Sequence, residues 1–154
     1  MNLFNCFMKE LGIITRKCKK SDYSFVFNLV KKTLWPYISR YIKPKKDKFD
    51  QGFFEDHRGL GYKHITILMK GRRRIGFYQI TPEKNLLYIR RIFLSPAYQG
   101  KGIGKKFMDY FETLDYNRLR LQVWENNPAQ HFYKKLGYII INKKEHRLEM
   151  EKRL

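Results

Sequence analysis

Acidic residues are scarce: 14 Asp and Glu stand against 33 Lys and Arg, leaving a formal net charge of +19 over 154 residues. An anionic partner fits such a surface. An A/T-rich coding sequence produces the same bias, because the codons of Lys, Asn, Ile, Tyr and Phe are A/T-rich. Cysteine is scarcer still. Cys6 and Cys18 make neither a disulfide framework nor a metal knuckle, and free thiols suit a reducing cytosol. His57, His64, His131 and His146 show no metal-ligand spacing, so no metal is expected. Long apolar runs are missing too. The longest stretch without Lys, Arg, Asp or Glu is the nine residues 92–100, whereas a helix crossing a bilayer needs about 18. No membrane span is expected. The opening MNLFNCFMKE lacks a basic n-region, a long apolar stretch and a small-residue cleavage site, so no secretory signal is expected and the expected location is cytoplasmic. Repeats, low-complexity tracts and Pro/Gly/Ser linkers are absent; at about 150 residues per domain this predicts one domain over 1–154.

What is present is material for a core. Hydrophobic residues make up 43% and aromatics 16%, far from the composition of disordered chains. Leu3, Phe4, Phe7, Met8 and Leu11 have helical spacing before Gly12, predicting a helical N-terminal extension over 1–12. Ile13–Lys17 reads as a strand. Ser21 or Asp22 caps a helix with Phe25, Val26, Leu29 and Val30 on its apolar face, and Pro36 ends it. Residues 37–57 are aromatic and helix-compatible, interrupted by Pro44 and Gly52. Runs 64–70 and 74–81, joined by Lys70-Gly71-Arg72-Arg73, predict a hairpin, and Leu86–Leu94 a third strand. Ile103, Phe107, Tyr110, Phe111 and Leu114 mark one helix face. Leu119, Leu121 and Val123 alternate as a strand. Pro128, Ala129, Phe132, Tyr133 and Leu136, followed by Gly137, form another amphipathic helix, and 138–141 and 148–150 end the chain as strands. The order βααβββαβαββ describes an α+β domain with a mixed sheet, at least one helix linking parallel strands.

Between the third strand and the next helix lies Gln99-Gly100-Lys101-Gly102-Ile103-Gly104. A glycine-rich turn at a helix start aims backbone N–H groups and the positive end of the helix dipole at one point, and so binds an anion. Lys101, Lys105 and Lys106 add charge around it. The spacing matches neither G-x-x-x-x-G-K-[ST] nor G-x-G-x-x-G, which weakens nucleoside-triphosphate and dinucleotide readings. By itself such a pattern arises about once in a thousand windows, given Gly at about 7%. Context makes it specific: a strand precedes it, an amphipathic helix follows, and a second strand leads to Asn126-x-x-Ala129-x-x-Phe132-Tyr133.

The two segments YIRRIFLSPAYQGKGIGKKF and LRLQVWENNPAQHFYKKLGY resemble the acetyl-CoA site of the GNAT superfamily of N-acetyltransferases. The resemblance implies a splayed mixed sheet flanked by helices, with residues 86–138 as the acetyl-CoA-binding core. It implies that the Gln99, Gly100, Lys101, Gly102, Ile103, Gly104 turn wraps the pyrophosphate of coenzyme A. The strand residues Ile92, Phe93 and Leu94 are implied to pair by backbone with the pantetheine arm, Asn126 to contact the cofactor, and Tyr133 to point at the sulfur. A thiolate has a reference pKa near 8.5 and a phenol near 10, so a phenol donates to sulfur as it leaves and Tyr133 suits a general acid. Sharing a helical face with Ala129 and Leu136, Tyr133 also reads as an ordinary core aromatic.

The general base has no clear candidate. Some members of the family carry a Glu on the strand before the glycine turn, and this chain has Tyr88 there, with Arg90 next on the same face. Glu83, Glu125, a water chain, or an acceptor amine of low pKa are the alternatives. A surface at +19 disfavours polycationic acceptors through like-charge repulsion and favours a protein or peptide amine or an aminoacyl-tRNA. The Lys70 to Arg74 cluster reads as a solvated hairpin tip or as a phosphate contact on RNA. The alternative function is a basic nucleic-acid-binding module without turnover, its aromatics stacking on bases; no nucleic-acid-binding signature accompanies it. A longer acyl donor and the oligomeric state have no signal in the sequence.

Overall fold

The computed structural model describes residues 8–56 and 60–154. Leu3, Phe4 and Phe7 of the expected N-terminal helix, and His57, lie outside the described residues. Residues 8–10 are helical and Met8 is buried in the main core.

Among the described residues, seven strands form one sheet: β1 (Ile13–Lys17), β2 (Thr66–Lys70), β3 (Arg73–Glu83), β4 (Leu86–Leu94), β5 (Arg118–Trp124), β6 (Ile139–Lys144) and β7 (Arg147–Arg153). Their spatial order is β1-β2-β3-β4-β5-β7-β6. Every neighbouring pair is antiparallel except β4 and β5. The helices are α1 (Tyr23–Thr33), the short α2 (Trp35–Ile38), α3 (Lys46–Phe54), α4 (Ile103–Glu112) and α5 (Ala129–Lys135). This is the expected α+β mixed-sheet domain. Alternation along the strands sorts side chains to opposite faces. Leu68, Tyr78, Leu87, Leu121 and Val123 meet Phe107 and Phe111 of α4. On the other face Ile67, Phe77 and Phe93 meet Val26, Leu29 and Val30 of α1 and Phe53 of α3.

Pro36 does not end the first helix. The helix stops at Thr33, and Pro36 stands in the first turn of α2, where its missing N–H has no partner to lose. The loosely patterned stretch after it contains α3, with Gly52 inside the helix. Asp22 occupies the N-cap position of α1 without capping it. Its buried carboxylate instead accepts from Arg16 Nη1 and Nη2 (2.7 and 2.8 Å), the Lys19 amide (2.8 Å) and Arg74 Nη1 (3.2 Å). Those partners, Arg16 foremost, hold the carboxyl well below the usual carboxylate range despite its burial. Arg74 of the hairpin is thereby tied to the start of α1.

The centre of the sheet carries two irregularities. β4 and β5 pair only from Leu86 to Ile89 against Arg118 to Leu121 and part beyond. Opposite, the β3–β4 register shifts between Gln79 and Ile80: Gln79 faces Arg91 while Ile80 faces Ile89. Arg90 is the extra residue of a bulge, which keeps both Ile89 and Ile92 on the α4 face.

Candidate active site

A cleft of about 1110 Å³ opens where β4 and β5 diverge. One flank is made by β4, the glycine turn, α4, β5 and α5. Val30, Thr33, Leu34, Trp35, Tyr37 and Phe49 of α1, α2 and α3 make the other. The flanks are joined at one end: Asn126 Nδ2 donates to the Tyr37 carbonyl (3.0 Å), and Tyr41 stacks on both Trp124 and His146.

The glycine turn sits on the cleft with its backbone, not its side chains. Gly100 and Gly102 have φ of +70° and +78°, the left-handed region that a side chain strains. A Cβ at either would meet nothing within 4 Å, so conformation, not crowding by protein, demands glycine here. Gly102 is the N-cap of α4; the first N–H groups of that helix have no intrahelical acceptor. Gln99, Gly100, Gly102 and Gly104 line the cleft. Ile103 turns its side chain into the core, leaving only its backbone for a ligand. Lys101 extends over the Tyr98 ring, and Lys105 lines the cleft while paired with Asp109 at 2.8 Å.

Backbone alternation separates the expected strand residues. The Ser95 amide donates to the Ile75 carbonyl, so in the antiparallel ladder Phe93 and Arg91 also direct their backbone groups to β3. Ile92 and Leu94 direct theirs toward the opening. The Leu94 carbonyl accepts from Gln99 Nε2 (2.9 Å), which fixes the turn against the strand. Phe93 contributes its ring, packed on Phe77 at 5.3 Å between centroids.

Tyr133 lines the cleft from α5, its ring against Phe132 and Tyr138. It keeps some exposed surface, yet apolar surroundings push its phenol up to about 12. No hydrogen-bond partner for the hydroxyl occurs among the described residues. Asn126, by contrast, is turned to Tyr37, and its Oδ1 is buried without a partner. The neighbouring Asn127 lines the cleft and accepts from the Ala129 amide at 2.9 Å, starting α5.

The charged residues of the lining are all cationic among the described residues. Lys43, Lys45, Lys48, Arg90, Arg91, Lys105 and Arg147 border it, and no Asp, Glu or His does among the described residues. The candidate bases are therefore elsewhere or occupied. Glu125 is bound by Lys143 and His146 (2.5 and 2.6 Å), which pull its carboxyl down to about 2. Glu83 pairs with Arg90 at 3.1 Å, and Arg90 lies over the Tyr88 ring. Burial raises the Tyr88 phenol. No group of three or more His, Cys, Asp or Glu fit to hold a metal occurs among the described residues, and no described helix is long and apolar enough to cross a membrane.

Sequence reasoning missed Trp35, Arg91, Trp124 and Asn127 on this cleft. Two charges, Arg90 and Arg91, interrupt the apolar run of β4, but that pattern does not say which of them stands opposite Gln79.

Comparison with known proteins agrees with this geometry. Among solved structures, the PaiA N-acetyltransferase of Thermoplasma acidophilum, in complex with coenzyme A, superposes with a TM-score of 0.70 at 18% identity, over 92% of this chain and 99% of that one. An acetyltransferase from Thermus thermophilus gives 0.70 at 16% identity, over 94% and 98%. Ard1 from Thermoplasma volcanium gives 0.64 at 16%, over 93% and 98%. None of the curated proteins matches the sequence. The family model for the acetyltransferase (GNAT) domain matches residues 55–140, more than half of the chain and the whole of β2 to α5, so the chain belongs to the GNAT acetyltransferase family.

Proposed function

We propose that this protein is an N-acetyltransferase that takes the acetyl group from acetyl-CoA, held between the parted β4 and β5, and passes it to a primary amine entering past α1 and α2. The observation that carries the reading is the coincidence of three features on one cleft: Ile92 and Leu94 backbone that faces the opening with no β5 strand partner, a left-handed glycine turn at a helix start, and a Tyr133 hydroxyl without a partner among the described residues. Residues 86–138 are the donor-binding core of a single domain. Gln99 to Gly104 take the pyrophosphate, with Lys101 and Lys105 beside them. Ile92 and Leu94 pair with the pantetheine arm, and Phe93 packs behind. Asn126 orients the donor through the loop it anchors, and Asn127 offers the closer surface.

Acetyl-CoA, when bound, supplies a thioester open to attack by a neutral amine. Tyr133 presents a proton toward the leaving sulfur. With its phenol near 12, the proton stays on through neutral pH, so Tyr133 acts as a constant donor that offsets developing charge. Among the described residues no carboxylate lines the cleft to take the amine's proton. The acceptor therefore arrives neutral, as an α-amine near 7.7–8.0 does far more readily than a Lys near 10.4. Cationic walls disfavour polycationic acceptors. A protein or peptide amine or an aminoacyl-tRNA fits best.

Thermal stability with and without acetyl-CoA, at low and high salt and with ATP as a control anion, tests the donor. A ligand at a hundred times its dissociation constant adds about 2.7 kcal/mol. A raised midpoint with acetyl-CoA at both salts, absent with ATP, is expected. Equal shifts by both, only at low salt, overturn the reading.

A further inference from the structure

Arg91 is a cleft cation on β4, on the sheet face that packs against α1. It shares a face of β4 with Phe93, which packs against Phe77 beneath α1. Yet Arg91 makes no hydrogen bond or ion pair among the described residues, whereas Arg90, beside it, pairs with Glu83 and Thr81. Desolvation pulls its pKa below the ordinary value, with no acidic neighbour to offset it. Directly across in the register stands Gln79, fully buried, with Oε1 and Nε2 both unpartnered. Cross-strand partners in an antiparallel pair share a face. Two polar groups thus lie side by side beneath α1, unsatisfied by the protein. A half-buried, desolvated guanidinium without a counter-charge is costly, and folded proteins pair such groups.

Resting on the donor reading above, we infer that Arg91 is the specificity residue for the acceptor, which is an amine bearing a carboxylate. The guanidinium fork matches a planar carboxylate in two parallel hydrogen bonds. A carboxylate suits the site better than a phosphate, because one recessed fork offers the geometry for a single planar anion. The same choice accounts for a cleft lining without an acid among the described residues: an acidic group near Arg91 would satisfy it and close the site. An acceptor that also keeps the low α-amine pKa a site without a base requires is a peptide or protein N-terminus with its carboxylate on a nearby side chain, as in an N-terminal Asp or Glu.

The test titrates wild type, saturated with coenzyme A, with succinate, succinamide and inorganic phosphate, reading fluorescence. Trp35 and Trp124, the only two tryptophans of the chain, both line the cleft. Saturable binding of succinate is expected, with none of succinamide and weaker binding of phosphate. In Arg91→Met succinate affinity falls about tenfold or more, as for loss of a charged hydrogen-bond pair. The ligand-free melting midpoint of that variant rises by about 2–4 °C, because an unpaired, desolvated charge has gone. A structural arginine gives the opposite sign, so a lowered midpoint overturns the inference. So does failure of succinate to bind wild type, undiminished binding to Arg91→Met, or phosphate binding more tightly than succinate. Failure of coenzyme A to raise the midpoint marks failure of the donor reading instead, and the titrations repeated without it still decide the role of Arg91.

Discussion

The two flanks of the cleft are built by different means. On the β4–α4 flank the groups that face the ligand are backbone: Ile92 and Leu94, the turn at Gly100 and Gly102, the start of α4. On the α1–α3 flank they are side chains: Trp35, Tyr37, Phe49, and the lysines 43, 45 and 48. A backbone flank tolerates any side chain that keeps the conformation, so it leaves a short fixed pattern of glycines in the sequence. A side-chain flank can be rebuilt residue by residue for a new acceptor and leaves no such pattern.

The sharpest way to break this contrast is Gly102→Val. A β-branched residue at φ of +78° is strained and misdirects the turn. Acetyl-CoA affinity by calorimetry is expected to fall about a hundredfold or more, a loss near 2.7 kcal/mol or beyond. Retained affinity shows that the flank does not depend on its backbone. Tyr133→Phe comes next, since it deletes one oxygen and keeps the fold. Turnover is expected to drop about ten- to a thousandfold with donor affinity nearly unchanged; single-turnover rates decide it. The same enzyme carries a pH prediction. A phenol pushed up to about 12 keeps its proton below that value, so Tyr133 contributes no alkaline fall before about pH 11. The rate rises with pH as the acceptor amine loses its proton, and Tyr133→Phe lowers this profile without changing its shape.

On the α1 side, Asp22→Asn removes the charge that holds Arg16 and Arg74. Asp22 is buried while both arginines are partly exposed, so a loss of about 2 kcal/mol at neutral pH is expected from denaturant melts. The folded carboxyl lies below its ordinary value. Its contribution is therefore complete above the unfolded pKa near 3.9 and fades as pH falls below it. Wild type and variant should converge in acid. The smallest effect belongs to the rim: Lys45→Ala is expected to change KM by less than about threefold, and less still at high salt.

What could be read beforehand divides along the same line. Ile13–Lys17 and Leu86–Leu94 have the bounds the sequence predicts, because strong alternation or apolar runs meet unambiguous breakers. The glycine turn was legible because only glycine enters its conformation cheaply. The bulge at Arg90 was not: a one-residue shift reverses which face each later side chain takes, and no residue type announces it. Arg91 therefore reads as just another basic residue until the register places it under α1. Asn126 and Asn127 differ by one step of a loop, and spacing alone gives no reason for the first to face Tyr37. Pro36 misled because a proline that closes one helix opens another equally well.

The parting of β4 and β5 also has a mechanical meaning. Backbone pairing between those strands runs for four residues, while β3 meets β4 over eight and β5 meets β7 over seven. Strands β1 to β4 and β5 to β7 are thus two plates sharing a short seam, and any load that pulls them apart concentrates there. A molecule lodged in the opening and bonded to β4 braces the seam from within. The stiffness of the whole sheet is then set at its middle, not at its edges.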